Sequence, residues 1–326
     1  MPIPDLTDVP VLVTGGAGFI GSHLVDALVE RGARVRVLDN FSTGRRANLA
    51  RARERIELLN ADLRDLAVCR QACEGVAFVF HQAALGSVPR SMEDPATTIA
   101  VNVTGTANLF AAAREAGVRR LVYASSSSVY GDSERLPKRE GEEGRPLSPY
   151  AFSKVAGEQL AATFDRCFGF ESVGLRYFNV YGPRQDPLGA YAAVIPRFAA
   201  ACLAGEAPVI YGDGGQTRDF TFVADVIVAN LLAAGAPAAA SGRAFNIGAG
   251  SRTSLLDLAR AVGAAAGRAF APRHEPARAG DVRDSLADLT VAAAILGFRA
   301  AVDLQQGLRD TVAAFAAPAE GGATRD

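Results

Sequence analysis

The segment VPVLVTGGAGFIG, residues 9–21, combines a short apolar run with a glycine-rich turn. After the turn, Leu24, Val25 and Leu28 recur at helical spacing, so the segment predicts a strand, a tight turn and a helix. Its glycines satisfy both G-x-G-x-x-G and G-x-x-G-x-x-G. Such a turn lets a pyrophosphate approach the backbone closely and lie on the amides and positive dipole of the helix. The stretch therefore predicts a nucleotide-binding β-α unit.

The next apolar run, residues 34–38, ends in an acid that refines this prediction. Asp39 lies about 20 residues past the glycines, which is the distance that the dinucleotide fingerprint requires. Its carboxylate would accept hydrogen bonds from both ribose hydroxyls and repel a 2′-phosphate, which favours NAD over NADP. Arg45 and Arg46 follow soon after and weaken that preference.

Alternating strand and helix patterns continue through the first half of the chain. Apolar runs occupy residues 56–59, 76–80, 120–124 and 173–178, and helical patterns occupy residues 65–74, 95–116 and 149–168. Near-continuous apolar strands between helices predict an α/β protein with a Rossmann-type, doubly wound parallel sheet. Ligands of such sheets bind at the carboxyl ends of the strands.

The regular alternation ends after residue 178. Helical patterns at 190–204, 224–235 and 254–266 are separated by turns and short β-like runs. We therefore predict an NAD-binding Rossmann domain over 1–176, with a return around 220–248. Residues 177–326 are predicted to form mainly a smaller α/β C-terminal substrate-binding domain.

Composition excludes several classes of function. The formal net charge is −1, with 34 basic and 35 acidic residues, so neither nucleic acid nor a membrane surface is an expected partner. The four cysteines show no metal-site spacing, and no metal is expected. No apolar run approaches the ~20 residues of a membrane span, and no signal peptide is recognisable. We expect a soluble, cytoplasmic protein.

The segment PYAFSK, residues 149–154, carries the candidate catalytic groups. On a helix, Tyr150 and Lys154 lie one turn apart on the same face, and the ammonium should lower the pKa of the phenol. The tyrosine then becomes a candidate proton acceptor. A hydroxyl from the serine run 125–128 could share the same substrate oxygen. The polar loop 131–149 between the two segments is predicted to be solvated.

Further motifs follow in order along the chain. They are Asp62-Leu63, His81-Gln82-Ala83-Ala84, Asn102, Ser126, Tyr150-x-x-x-Lys154 and Tyr177-Phe178-Asn179-Val180-Tyr181-Gly182-Pro183. With the glycine turn and Asp39, they look like the extended short-chain dehydrogenase/reductase family. More narrowly, they resemble the UDP-hexose 4-epimerases over roughly residues 10–315. The serine run lacks the Asp-Glu pair of the related sugar-nucleotide 4,6-dehydratases.

The resemblance implies a role for each matching position. Tyr150 would be the catalytic base, Lys154 would bind the nicotinamide ribose and lower the phenol's pKa, and Ser126 would be the hydrogen-bonding serine, with Ser125 and Ser127 as alternatives. The cofactor would be NAD, contacted by Gly15, Gly18, Phe19, Ile20, Gly21, Asp39, Asn40, Ser42, Thr43, Gly44, Asp62, Leu63, Gln82, Ala83, Ala84, Asn102, Tyr150, Lys154 and Tyr177. A homodimer through helices 95–116 and 149–168 is also implied.

The substrate implied by the resemblance is a UDP-sugar. Asn179 would hold its diphosphate, Arg218 and Arg278 its phosphates, Asp281 the uridine ribose, and Tyr211 would lie along the uracil. The complete implied set is Ser87, Val88, Arg90, Ser126, Ser127, Tyr150, Asn179, Ala193, Val194, Tyr211, Arg218, Arg278, Asp281 and Ser285. An arginine suits a phosphate because its planar fork binds two oxygens at once.

Residues 86–91, 189–196 and 278–285 resemble a bacterial subgroup of UDP-N-acetylglucosamine 4-epimerases. In that subgroup the position of Ser285 sets pocket size, and a bulky aromatic there would exclude an N-acetyl group. The expected reaction is 4-epimerisation of UDP-GlcNAc or UDP-GalNAc through a 4-keto intermediate. UDP-glucose/galactose and a UDP-hexuronic acid (UDP-GlcNAcA or UDP-GlcA) are alternatives, the latter with a cation from Arg90 or Arg283. A non-catalytic NAD-sensing protein is the alternative from another class.

Overall fold

The computed structural model describes residues 3–187, 189, 192–269, 271–276 and 283–317. The strands are β1 Pro10–Thr14, β2 Arg34–Asp39, β3 Ile56–Asn60, β4 Phe78–His81, β5 Arg120–Ser126, β6 Ser172–Tyr177, β7 Val180–Tyr181, β8 Val209–Tyr211, β9 Thr217–Arg218, β10 Thr221–Phe222, β11 Arg243–Ile247, β12 Thr253–Ser254 and β13 Arg273–Glu275. The α-helices are α1 Phe19–Glu30, α2 Leu66–Cys73, α3 Val88–Glu93, α4 Pro95–Ile99, α5 Thr106–Glu115, α6 Pro149–Phe168, α7 Val194–Ala204, α8 Val223–Ala234, α9 Leu255–Ala265, α10 Thr290–Leu296 and α11 Leu304–Ala316.

Seven strands form one sheet in the order β3-β2-β1-β4-β5-β6-β11, and every neighbouring pair is parallel. The chain moves outward from β1 in one direction to β3, then returns to β4 on the other side of β1. The predicted doubly wound parallel sheet is therefore confirmed. The switch of direction between β1 and β4 opens a crevice at their carboxyl ends, where such sheets bind ligands.

Both faces of the sheet are covered, which explains the continuous apolar strands. In β1, Val11 and Val13 belong to a core shared with α1 and α8, while Leu12 belongs to the opposite core with α2 and α5. Successive side chains of a strand point to opposite faces, so a strand covered on both sides needs apolar residues at every position.

The C-terminal part of the chain has a core of its own. Helices α7, α9 and α11 pack with Tyr181, Phe198 and Phe222 in this third cluster. Strands β7 and β10, β8 and β13, and β9 and β12 form two-stranded pairs there. Between these elements the chain returns to the main sheet, where α8 packs on one face and β11 pairs with β6.

Helix α6 spans the predicted range 149–168, with Ser148 accepting a hydrogen bond from the Ala151 amide and Gly169 ending it in the left-handed conformation. The helix predicted over 95–116 is instead interrupted by a π-helical segment, Ala100–Gly105. Within this segment the Asn102 side chain bonds both the amide and the carbonyl of Leu85. These bonds tie the segment to the loop after β4, a contact that helical periodicity does not reveal.

The prediction that loop 131–149 is solvated is wrong for its middle. Lys138 is buried, its amide donates to the Leu286 carbonyl, and its carbonyl accepts from the Asp288 amide. The Glu140 carboxylate accepts from the Asn246 amide, 2.8 Å away. Because β11 is an edge strand, its outward backbone groups need partners, and this loop supplies one for the Asn246 amide.

The described part of the chain contains no helix with both the length and the apolar character needed to cross a bilayer. Nor do the described ranges hold a group of three or more His, Cys, Asp or Glu side chains placed to bind a metal ion.

Candidate active site

A cavity of about 480 Å³ opens at the carboxyl ends of β1, β2, β4, β5 and β6. Residues from both halves of the sheet meet there, because the cavity lies at the switch between β1 and β4. Its lining includes the predicted cofactor residues Gly15, Gly18, Phe19, Ile20, Gly21, Asp39, Asn40, Ser42, Thr43, Leu63, Gln82, Ala83, Ala84, Tyr150, Lys154 and Tyr177. Ser126, Ser127 and Asn179 from the predicted substrate set line it as well.

The glycine turn permits a close backbone approach. Gly15 has φ +68°, and a Cβ there would lie 2.6 Å from the Ala83 amide nitrogen. A Cβ on Gly21 would lie 2.0 Å from the Gly15 carbonyl oxygen. Helix α1 begins just after Gly18, and no side chain caps its first turn. The first amides of α1 are therefore available to an anion, which fits the pyrophosphate of a dinucleotide.

Asp39 ends β2 and is held beside this turn. One carboxylate oxygen accepts from the Ala17 amide at 2.9 Å, and the other accepts from the Phe41 amide at 2.8 Å. Burial raises the pKa of Asp39, and the two amide hydrogen bonds oppose this effect. The carboxylate is thus fixed at the edge of the cavity, where a ribose hydroxyl could donate to it. Gly44 lies next to this carboxylate, because a Cβ built on Gly44 would be only 3.0 Å from it.

Three predicted cofactor residues, Gly44, Asp62 and Asn102, are outside the lining of the cavity. The Asp62 carboxylate accepts from Asn40 Nδ2 at 2.9 Å, so it braces a residue that does line the cavity. Asn102 lies behind the loop after β4, where its side chain also donates to Ser153 Oγ at 3.1 Å. Whether these residues touch a bound cofactor stays a prediction.

Ser126, Tyr150 and Lys154 lie together at the cavity. Lys154 Nζ donates to the Ala124 carbonyl at 2.8 Å and lies 5.8 Å from the centroid of the Tyr150 ring. Burial raises the pKa of Tyr150 above its ordinary value, and a side-chain hydrogen bond from Ser126 opposes the rise only partly. The net shift in the protein alone is thus upward, because desolvation disfavours the phenolate. A lowering of this pKa by Lys154 stays a prediction.

Burial acts on the lysine as well, lowering the pKa of Lys154 to about 8, while the charge of Glu158 opposes the fall. Glu158 lies four residues after Lys154 on α6, so Tyr150, Lys154 and Glu158 form one stripe along the helix. The sequence interpretation stopped at Lys154 and missed Glu158. Extending the four-residue spacing by one more turn would have found it.

The three adjacent serines have different partners. Ser125 Oγ donates to Glu158, whereas Ser126 Oγ accepts from the Ser128 amide at 3.1 Å and hydrogen-bonds with Tyr150. Ser127 lines the cavity. Of the three, Ser126 is the serine whose hydroxyl meets the tyrosine, which supports its predicted role.

The other predicted substrate residues that the structure describes lie outside the lining of this cavity. Ser87 caps α3 by accepting from the Arg90 amide at 3.2 Å, and Val88 is 43% exposed. Ala193 precedes α7, which begins at Val194. Arg278 and Asp281 lie outside the described residues.

Strand β9 holds two of these residues, Arg218 and Ser285, close together, while Tyr211 lies on β8. Arg218 Nη1 donates to the carbonyls of Thr217 and Arg283, at 2.9 Å each. Ser285 is buried, and its amide donates to the Thr217 carbonyl at 3.1 Å. Tyr211 ends β8, and the guanidinium carbon of Arg197 lies 5.4 Å from the centroid of its ring.

Comparisons with known proteins agree with this geometry. Residues 11–248 match the NAD dependent epimerase/dehydratase family. A UDP-glucose 4-epimerase of Mycolicibacterium smegmatis is 43% identical over 308 residues, which cover 93% of this chain and 97% of the relative. The structure of a UDP-N-acetylglucosamine 4-epimerase from Methanobrevibacter ruminantium, in complex with UDP-N-acetylmuramic acid, has a TM-score of 0.90 at 38% identity and covers 95% of this chain and 98% of its own. A Thermus thermophilus UDP-glucose 4-epimerase in complex with NAD has a TM-score of 0.85 at 39% identity, with coverages of 94% and 99%.

Proposed function

Because this chain belongs to the NAD dependent epimerase/dehydratase family and is an NAD-dependent UDP-sugar 4-epimerase, we propose that UDP-GlcNAc and UDP-GalNAc are its preferred substrates. The expected enzyme class and the expected cofactor NAD are thereby confirmed. The observation that carries the choice of sugar is Ser285. This small residue is only 8% exposed, and its backbone is held against β9 beside Arg218. A serine leaves space for an N-acetyl group that an aromatic side chain would occupy.

UDP-glucose and UDP-galactose are the second candidate pair. The M. smegmatis relative, at 43% identity, is a UDP-glucose 4-epimerase, which favours this pair over the remaining alternatives. A hexuronic acid would need a cation in the sugar pocket. Arg283 is 68% exposed and pairs with Asp213 at 3.1 Å, so its charge already faces a surface carboxylate. This pairing counts against Arg283 as the cation, and Arg90 is the other candidate.

We assign the proton-transfer step to Tyr150. In this mechanism the phenolate takes the proton of the sugar's 4-hydroxyl, while Ser126 hydrogen-bonds the same oxygen and Lys154 holds positive charge nearby. The chemistry that bound NAD would supply is reversible hydride transfer at C4, with removal from one face of the sugar and return to the other. Asp39 and the first turn of α1 would hold the cofactor by its ribose and pyrophosphate. No net oxidation results, so the cofactor is expected to stay bound throughout the cycle.

We also propose a homodimer, from an apolar surface that α3 and α6 share. Met92 is 63% exposed, Phe152 is 50% exposed and Val88 is 43% exposed. Large apolar side chains exposed together mark interaction surfaces. A second copy of this chain is the occupant that we expect, because the implied dimer uses the same helix α6.

Separate incubations with UDP-GlcNAc, UDP-glucose and their uronic acids test the substrate, with no NAD added and products separated by mass-resolved chromatography. We expect isobaric conversion to be fastest with UDP-GlcNAc. Fastest conversion of UDP-glucose or of a uronic acid would contradict the proposal.

The variant Ser285→Tyr tests the reason for that preference. We expect turnover of UDP-GlcNAc to fall by about 10- to 100-fold, while turnover of UDP-glucose changes little, because only the N-acetyl group overlaps the new ring. Ser285→Ala is the matched control and should leave the ratio of the two rates unchanged. Equal losses on both sugars would show that Ser285 does not set the size of the pocket.

A further inference from the structure

A buried ion pair lies directly behind the candidate catalytic residues. Glu158 of α6 accepts from Arg176 of β6 through both oxygens, at 2.9 Å from Nε and 2.7 Å from Nη2. The two side chains are only 13% and 7% exposed. Burial alone would lower the pKa of Arg176, but the hydrogen bonds and charge of Glu158 hold it above its ordinary value. The two parallel hydrogen bonds therefore fix the orientation of both side chains.

The Glu158 carboxylate also reaches the strand that delivers the catalytic serine. It accepts from Ser125 Oγ, and Ser125 lies between Ala124 and Ser126 on β5. The Ala124 carbonyl is the acceptor for Lys154 Nζ. One carboxylate thus contacts the end of β5 from the same helix that carries Lys154.

We infer that Glu158 is a positioning residue for the 4-epimerase reaction, holding the end of β5 through Ser125 and keeping a negative charge beside Lys154. This inference rests on the proposed roles of Ser126, Tyr150 and Lys154. It concerns how those groups are held, and it applies whichever UDP-sugar is preferred.

Of the titratable groups around Lys154, Glu158 is the one that supplies a negative charge. On β4, burial lowers the pKa of His81 to about 3, and the two ring nitrogens of His81 bond threonine hydroxyls, so His81 is neutral. On β5, burial raises the pKa of Tyr123 well above its ordinary value, and Tyr150 on α6 shifts in the same direction. Arg176 on β6 is a cation. Among the described residues, Glu158 is the anion that raises the pKa of Lys154.

The pH dependence of kcat in the variant Glu158→Gln tests the inference. The amide keeps the size of the side chain but removes its charge, so Lys154 should lose its proton at lower pH. We expect the alkaline limb of the profile to shift to lower pH by about one unit, which is the lower end of the pKa shift that one neighbouring charge causes. Retention of NAD during purification would report that the variant is folded.

Glu143→Gln is the matched control. Glu143 also pairs with Arg176, but it lies on the loop before α6, and the Ser125 hydroxyl donates to Glu158 instead. We expect this variant to have the wild-type alkaline limb. The same shift in both variants would overturn the inference, since it would then follow from disturbing Arg176 rather than from the charge beside Lys154.

Two further variants separate charge from hydrogen bonding. Glu158→Asp keeps the charge but draws it away from Ser125, so kcat should fall several-fold while the alkaline limb stays near its wild-type position. Ser125→Ala should likewise lower kcat several-fold and leave the alkaline limb near its wild-type position. If Glu158→Gln does not fold, Glu158→Asp carries the test, and an unchanged kcat in both Glu158→Asp and Ser125→Ala would overturn the inference.

Tyr150→Phe distinguishes failure of the inference from failure of the proposed mechanism. If Tyr150→Phe remains active, the assigned roles are wrong. If Tyr150→Phe is inactive and a folded Glu158→Gln shows the wild-type alkaline limb, the roles stand and the inference about Glu158 is refuted.

Discussion

The same change, glycine to alanine, should have opposite effects at two positions of this chain. At Gly21, at the start of α1, the new Cβ would lie 2.0 Å from the Gly15 carbonyl oxygen. At Gly157, inside α6, it would have no neighbour within 4 Å apart from the backbone of its own helix. Both residues are buried, so the pair separates crowding of the nucleotide turn from the general effect of adding a methyl group.

The expected sizes follow from these distances. At Gly21 the contact is more than 1 Å shorter than an ordinary 3.4 Å contact. Neither atom can rotate away, because the Cβ position is set by its own backbone and the Gly15 oxygen is a backbone atom. Overpacking of this kind costs about 1–3 kcal/mol of unfolding free energy. At Gly157 alanine lowers the conformational entropy of the unfolded chain, which should stabilise the helix by about 0.5–1 kcal/mol.

Urea denaturation of the NAD-free variants measures the free energy of unfolding, and titration with NAD measures affinity. The glycine turn must open to admit the methyl group, so Gly21→Ala should also weaken NAD binding by at least ~10-fold, which is about 1.4 kcal/mol. Gly157→Ala should bind NAD as the wild type does. A Gly21→Ala variant with wild-type stability and affinity would refute the close approach of Gly21 to Gly15.

Three further outcomes are expected. Tyr150→Phe should reduce turnover by at least ~10²-fold, because it removes the proposed base; near-normal turnover would contradict that role. His81 has a pKa lowered to about 3 by burial, so its share of stability is present above its ordinary pKa and is lost as pH falls, by about 2 kcal/mol at pH 5. His81→Gln should shrink the difference in unfolding free energy between pH 7 and pH 5 by that amount, and an unchanged difference would show that His81 protonates in the folded protein. Phe152→Glu should give a monomer by light scattering, whereas Val228→Glu, at an exposed apolar position on α8, should not; a dimer in both would place the interface elsewhere.

Local patterns predicted much of the fold. An apolar run such as 9–14, followed by glycines and then by residues at helical spacing, predicts its own strand, turn and helix without knowledge of the rest. The four-residue spacing of Tyr150 and Lys154 likewise places both side chains on one face of α6. Both are properties of a short stretch of chain, so they can be predicted without knowledge of tertiary contacts.

Contacts between distant segments could not be predicted in this way. The π-helical segment 100–105 and the buried middle of loop 131–149 depend on partners that lie far away in sequence, Leu85 and the edge strand β11. Their own residues resemble an ordinary helix and an ordinary polar loop. The physical reason is that backbone polar groups of another element needed partners, and that need is invisible in the local pattern.

The sequence by itself determined the parallel sheet, the nucleotide turn and the shared face of Tyr150 and Lys154 on α6, since each follows from periodicity and spacing. Only the tertiary structure decided the protonation chemistry of the site. Burial raises the pKa of Tyr150 and lowers that of Lys154. The fold also brings Glu158 and Arg176 together as an ion pair behind these two residues. Desolvation depends on everything that surrounds a group, and a spacing of residues along one helix does not contain that information.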